Sequence, residues 1–86
     1  MHETILLSKI SEGLAECCKR GKIAKVNKMA VIVNKGSHVN SDNLSQYLRS
    51  YNDDLVSDRT EIKIEIGDLP DETAIIKNIE GDSAGK

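Results

Sequence analysis

From Thr4 to Arg20 the apolar residues Leu6, Leu7, Ile10, Leu14, Cys17 and Cys18 recur three and four positions apart, the period of a helix with one buried stripe. Gly13 weakens that helix locally. Lys19 and Arg20 followed by Gly21 predict its end, since cations suit the last turn and glycine takes the left-handed stop without strain. The period then falls to two. In residues 25–33, KVNKMAVIV, Met29, Val31 and Val33 alternate onto one face of a predicted strand. Asn34-Lys35-Gly36-Ser37 is a turn. A second helix is predicted over about residues 41–52, with Asn40 as its N-cap and Leu44, Tyr47, Leu48 and Tyr51 as its apolar stripe. After a polar connection the alternation returns in TEIKIEI, residues 60–66, with Ile62, Ile64 and Ile66 on one face and Glu61, Lys63 and Glu65 on the other. GDLPDE, residues 67–72, breaks that strand, and TAIIKNIE, residues 73–80, predicts a third. Residues 81–86, GDSAGK, read as a disordered tail.

The order α-β-α-β-β implies an α+β fold. Two helices pack on one face of a small three-stranded mixed sheet, because each helix needs an apolar surface to cover. The first strand, second helix and second strand suit a parallel crossover. The last two strands are expected to form an antiparallel hairpin across GDLPDE.

Composition narrows the picture. The chain has 86 residues, 38% apolar and 30% charged, which suits one small domain with a narrow stability margin. There is no Phe or Trp and there are only two Tyr, so the core must be aliphatic. A net charge of −2 argues against general nucleic-acid binding, which needs a cationic footprint. Lys19, Arg20, Lys22, Lys25 and Lys28 form a basic run that reads as a solvated helix end and strand edge; a docking patch for an acidic partner is the alternative. No apolar run approaches the ~20 residues that span a bilayer, and the N-terminus lacks the pattern of a signal peptide. The expected location is cytoplasmic, with no membrane partner. Cys17 and Cys18 are adjacent and no CxxC pair exists, so neither a mutual disulfide nor a structural zinc site is expected.

The candidate chemistry is at the start of the chain, MHE. His2 is a large penultimate residue, so Met1 is expected to be retained. Its amine has an ordinary pKa of about 7.7–8.0 and can deprotonate near neutrality. The imidazole of His2 is a standard ligand for nickel, copper and zinc. The first N–H groups of a helix have no intrahelical acceptor, so the amides of His2 and Glu3 can lose a proton to a metal without breaking the helix. Amine, two amides and imidazole make four nitrogens near one plane, the geometry of Ni(II) or Cu(II). The positive end of the helix dipole opposes a cation there; two deprotonated amides and the Glu3 carboxylate offset it. The alternative is that His2 and Glu3 are ordinary solvent-exposed residues before a helix.

The whole pattern resembles the nickel metallochaperones of the HypA/HybF family, which serve hydrogenase and urease maturation. The resemblance rests on Met1-His2-Glu3 running into an apolar helix, on VNKMAVIVNKGSHV from Val26 to Val39 followed by Leu44, Tyr47 and Leu48, on TEIKIEI, and on the closing IIKNIE. It covers about residues 1–80, a single nickel-binding domain, and implies nickel held by Met1 (amine), His2 (imidazole and amide) and Glu3 (amide). It also implies delivery to a maturation GTPase or a nickel-enzyme precursor. The family's inserted zinc domain with two CxxC pairs has no counterpart, since GDLPDE stands in its place. The family's strand-end Gly-Glu is replaced by Asn34-Lys35. His38 reads as a surface loop residue, with an auxiliary ligand role as the alternative; Asn40 and Asp42 stand near the family's acidic position. Against the nickel carrier stands a metal-free interaction module that keeps the fold and binds a partner, or a second copy as a homodimer, through a sheet face or edge. Ser8, Ser11 and His2 form no nucleophile arrangement and no phosphate loop exists, so catalysis is not expected.

Overall fold

The structure, a computed structural model, describes the backbone of residues 2–83 and the side chains from Ile5 to Ser83. Its elements follow the predicted order: α1 (His2–Gly21), β1 (Ile23–Asn34), α2 (Ser41–Tyr51), β2 (Glu61–Gly67) and β3 (Ala74–Ser83). Both helices cover one face of a three-stranded mixed sheet, as the pattern requires.

The stripe of α1 is Leu6, Leu7, Ile10, Leu14 and Cys18, all buried, while Cys17 is exposed. Gly13 has a packing reason: a Cβ there would press on Ile76 Cδ1 at 3.3 Å, so its absence lets α1 lie close on β3. The helix ends one residue later than predicted. Gly21 is still helical, and the left-handed residue is Lys22, with φ of 56°. For α2 the N-cap is Asn40 as expected. Its side chain accepts from the Asn43 amide and the Asn43 side chain accepts from the Asn40 amide, both at 2.9 Å, a reciprocal capping box. Leu44 and Leu48 are buried; Tyr47 packs against the core, and Tyr51 is exposed with its ring 4.4 Å from that of Tyr47.

The sheet order is β2-β1-β3. This corrects the expected hairpin: β2 and β3 do not pair, and each lies against β1 instead. β1 pairs parallel with β2, from Lys28↔Glu61 to Asn34↔Gly67, without a shift. It pairs antiparallel with β3 from Ile23↔Ser83 to Val33↔Ala74, with three register shifts. The connection over residues 68–73 therefore spans the width of β1, about 10 Å at the usual strand spacing, which six residues cover easily. β3 also runs on to Ser83, so residues 81–83 of the expected tail are strand; residues 84–86 lie outside the described residues.

Met29, Val31 and Val33 are fully buried and join both helices in one core. The opposite face carries Ala30, Ile32, Lys63, Glu65 and Ile75. There Lys77 Nζ on β3 reaches Glu65 on β2 at 3.3 Å, a bridge that must pass over β1. Where β1 outruns β2, its free backbone groups find other partners. The Val26 amide donates to the Leu55 carbonyl at 2.8 Å, and the Thr60 hydroxyl donates to the Val26 carbonyl at 2.7 Å. Among the described residues no helix is long and apolar enough to cross a membrane.

Candidate functional site

β1 and β2 are parallel, so their carboxyl ends, Asn34 and Gly67, emerge on the same side of the sheet. In parallel α/β arrangements ligand crevices form beyond such ends. A cleft of about 610 Å³ lies there, lined by Leu6, Asn34, Gly36, Ser37, His38, Asp71 and Glu72. Each wall has a local cause. Asn34 closes β1, and the turn after it is held by the Ser37 amide donating to the Asn34 carbonyl at 3.1 Å. The Ser37 hydroxyl accepts from the Val39 amide at 2.9 Å, which fixes the approach to α2. His38 is exposed, and its carbonyl accepts from the Asn43 side-chain amide at 3.0 Å. Across the cleft, Glu72 is left-handed at φ 57°, and its carbonyl accepts from Lys9 Nζ at 2.9 Å.

One polar atom on the wall is unpartnered. Asn34 is 5% exposed, and its side-chain Oδ1 is buried without a hydrogen bond. Leaving such an acceptor unsatisfied costs about 1–3 kcal/mol, and buried polar groups are usually paired. The sequence marks Asn34 only as a turn residue at a strand end, and Asp71 and Glu72 only as part of the strand break GDLPDE. The further signal for Asn34 is a polar residue closing the apolar run AVIV.

Of the expected metal ligands, Met1 lies outside the described residues, as do the side chains of His2 and Glu3. The backbones of His2 and Glu3 open α1. Their amides thus belong to the first turn, where no acceptor lies four residues back. Leu6, one turn further along α1, lines the cleft. Asn40 is committed to the α2 cap, and Asp42 is exposed in the first turn of α2. Among the described residues no three His, Cys, Asp or Glu side chains gather closely enough to hold a metal ion. His38 therefore does not head a metal cluster of its own there.

Cys17 and Cys18 lie at the far end of α1. The Cys18 thiol is held above its ordinary pKa, first by burial, then by Cys17 and the Asp54 carboxylate, which makes it a poor nucleophile. The cations of the basic run are exposed, and Arg20 meets Glu16 at 3.5 Å one turn away, a surface pair worth little. Comparison with known proteins gave no match: no family model, no curated protein and no solved structure corresponds to this chain.

Proposed function

We propose that this chain is a nickel carrier. It holds Ni(II) at the Met1-His2-Glu3 segment and hands it on in the cytoplasm during maturation of a nickel enzyme such as a hydrogenase, directly or through a maturation GTPase. It acts as a carrier and not as a catalyst. The observation that supports this reading is the start of α1 at His2, one turn before a residue that lines an open cleft. Amides at that position donate to nothing within the helix and can be deprotonated by a metal. In an α-helix successive N–H bonds run parallel to the axis and do not converge on one point. Chelation by amine, two amides and imidazole thus unwinds the first turn, against the expectation of an unbroken helix, and leaves the packed stripe from Leu6 onward in place. Each coordinating group gives up a proton or stays neutral, so binding strengthens as pH rises. A site at the end of an element, and not inside the core, would also let an acceptor's ligands approach without unfolding the carrier.

The test is a Ni(II) titration of the chain with a native, untagged N-terminus, followed by heat and visible absorption, with Cu(II) in parallel. One nickel per chain with the yellow band of a square-planar site is expected. His2→Ala, or one extra residue before Met1, should abolish it. Equal affinity in both variants would sink the proposal. A second reading, the metal-free interaction module, is favoured by a different observation, the uncovered edge of β2. It fails if every association of the chain needs nickel.

A further inference from the structure

The two edges of the sheet are built differently. β3 meets β1 through register shifts at Ile23/Lys25, Val26/Lys28 and Ala30/Val31. Such bulges twist an edge and spoil it as a template for another strand. β2 pairs with β1 over seven consecutive residues with no shift. Among the described residues, no backbone hydrogen bond other than those of the β1 ladder reaches it. Its outer side is a straight run of unpaired N–H and C=O groups.

That edge is complementary to itself. Turn EIKIEIG antiparallel to a second copy and centre the pairing on Ile64. Ile64 then faces Ile64, Ile62 faces Ile66, and Lys63 faces Glu65, the last two pairs occurring twice by symmetry. The neighbouring registers that keep faces matched are worse. Centring on Lys63 sets Lys63 against itself and Glu61 against Glu65; centring on Glu65 sets Glu65 against itself. Like charges directly opposite destabilise a strand pair, and opposite charges stabilise it. A slip by one residue would set isoleucines against charges. The apolar side gains as well: Ile66 is 60% exposed and Ile62 and Ile64 are half-buried in the single chain. Glu65 keeps its Lys77 partner, because a carboxylate accepts from more than one donor.

We infer that β2 is a dimerisation edge. A second copy of this chain adds antiparallel along Glu61–Gly67, about a two-fold axis at Ile64, to make one six-stranded sheet. The interface is isologous, with each copy presenting the same strand. It holds whether or not the N-terminus binds nickel. The two clefts, at the carboxyl ends of β1 and β2, fall at opposite ends of the joined sheet and stay open.

Sedimentation equilibrium of the full chain, with EDTA and a thiol reductant present, tests this without metal bridging or Cys17 cross-links. A concentration-dependent monomer–dimer equilibrium is expected. Lys63→Glu and Glu65→Lys should each weaken it roughly tenfold, since the two-fold axis makes every change count twice. Mixing the two variants should restore association to the native level. In the mixed dimer the new acid of one copy meets the new base of the other, and the native Lys63 and Glu65 that remain still oppose each other. A chain monomeric up to about 1 mM, the weak end of specific association, overturns the inference. So does a dimer indifferent to both substitutions, or a mixture no tighter than either variant alone.

Discussion

Asn52 is 5% exposed, and its side chain sits where α1 meets the end of α2. Its Oδ1 accepts the Ser11 hydroxyl at 2.5 Å, and its Nδ2 donates to the Ser11 carbonyl at 3.4 Å. Its own carbonyl accepts from the amides of Leu55 and Val56, both at 2.8 Å. The side chain thus satisfies two groups on a neighbouring helix while the backbone turns the chain toward β2. Asn52→Ala keeps the backbone bonds and removes the amide, leaving Ser11 unpaired in a part-buried contact. The expected loss is about 2 kcal/mol, from the range for an unsatisfied buried group. That lowers the thermal midpoint by about 10 °C in a domain of this size, readable by circular dichroism. A change within error would mean water takes the place of the amide. At this scale the sequence was half legible. Spacing found Leu6, Leu7, Ile10, Leu14, Cys18, Leu44 and Leu48, all buried. It did not find Asn34 or Asn52, because the burial of a polar side chain depends on partners far along the chain, and period carries no information about them.

β1 shows why elements were legible and their neighbours were not. Alternation in TEIKIEI tells which side of a strand meets the helices; it does not tell which strand lies beside it. The hairpin expectation followed from the closeness of β2 and β3 in sequence, and the sheet instead places β1 between them. The unbroken run Met29-Ala30-Val31-Ile32-Val33 is the sign of the central place, since continuous apolar residues mark a strand enclosed by its surroundings. Central placement has a dynamic consequence. Amides of β1 from Met29 to Val33 are flanked by ladders on both sides and should exchange with solvent slowest of all. The other end of the strand is held differently. Gly81 lies opposite Val26, and a Cβ on it would run into the Lys25 carbonyl, a backbone atom that cannot step aside. Gly81→Ala should therefore release the end of β3. Native-state hydrogen exchange would then show protection lost at residues 23–26 and 81–83 while Met29–Val33 keeps its own. Uniform loss along β1 would mean that the sheet opens as one unit.

At the scale of the whole molecule, a nickel site at Met1-His2-Glu3 should couple only weakly to the fold, and that coupling can be measured. Met1, His2 and Glu3 are legible from sequence because their chemistry needs no tertiary partner; the cleft beside α1 is not, because it joins Leu6, the Asn34–His38 turn and Asp71 from three separate segments. A ligand stabilises a protein only as far as it prefers the folded state. Amine, imidazole and two adjacent amides are the same groups in the unfolded chain, so a purely terminal chelate binds both states about equally. It even costs the first turn of α1 in the folded one. Nickel at about one hundred times its dissociation constant should then move the thermal midpoint by less than about 2 °C. A site that also drew on the folded cleft would gain about 2.7 kcal/mol under the same conditions, a shift of about 10 °C or more. The small shift is expected, because the described residues around the cleft offer no ready-made cluster of metal ligands. A large shift that vanishes in His38→Ala would instead put the cleft in the coordination sphere and make nickel loading a measure of folding. The scan should be run at a fixed pH above 7, where the amine and amides are able to lose their protons.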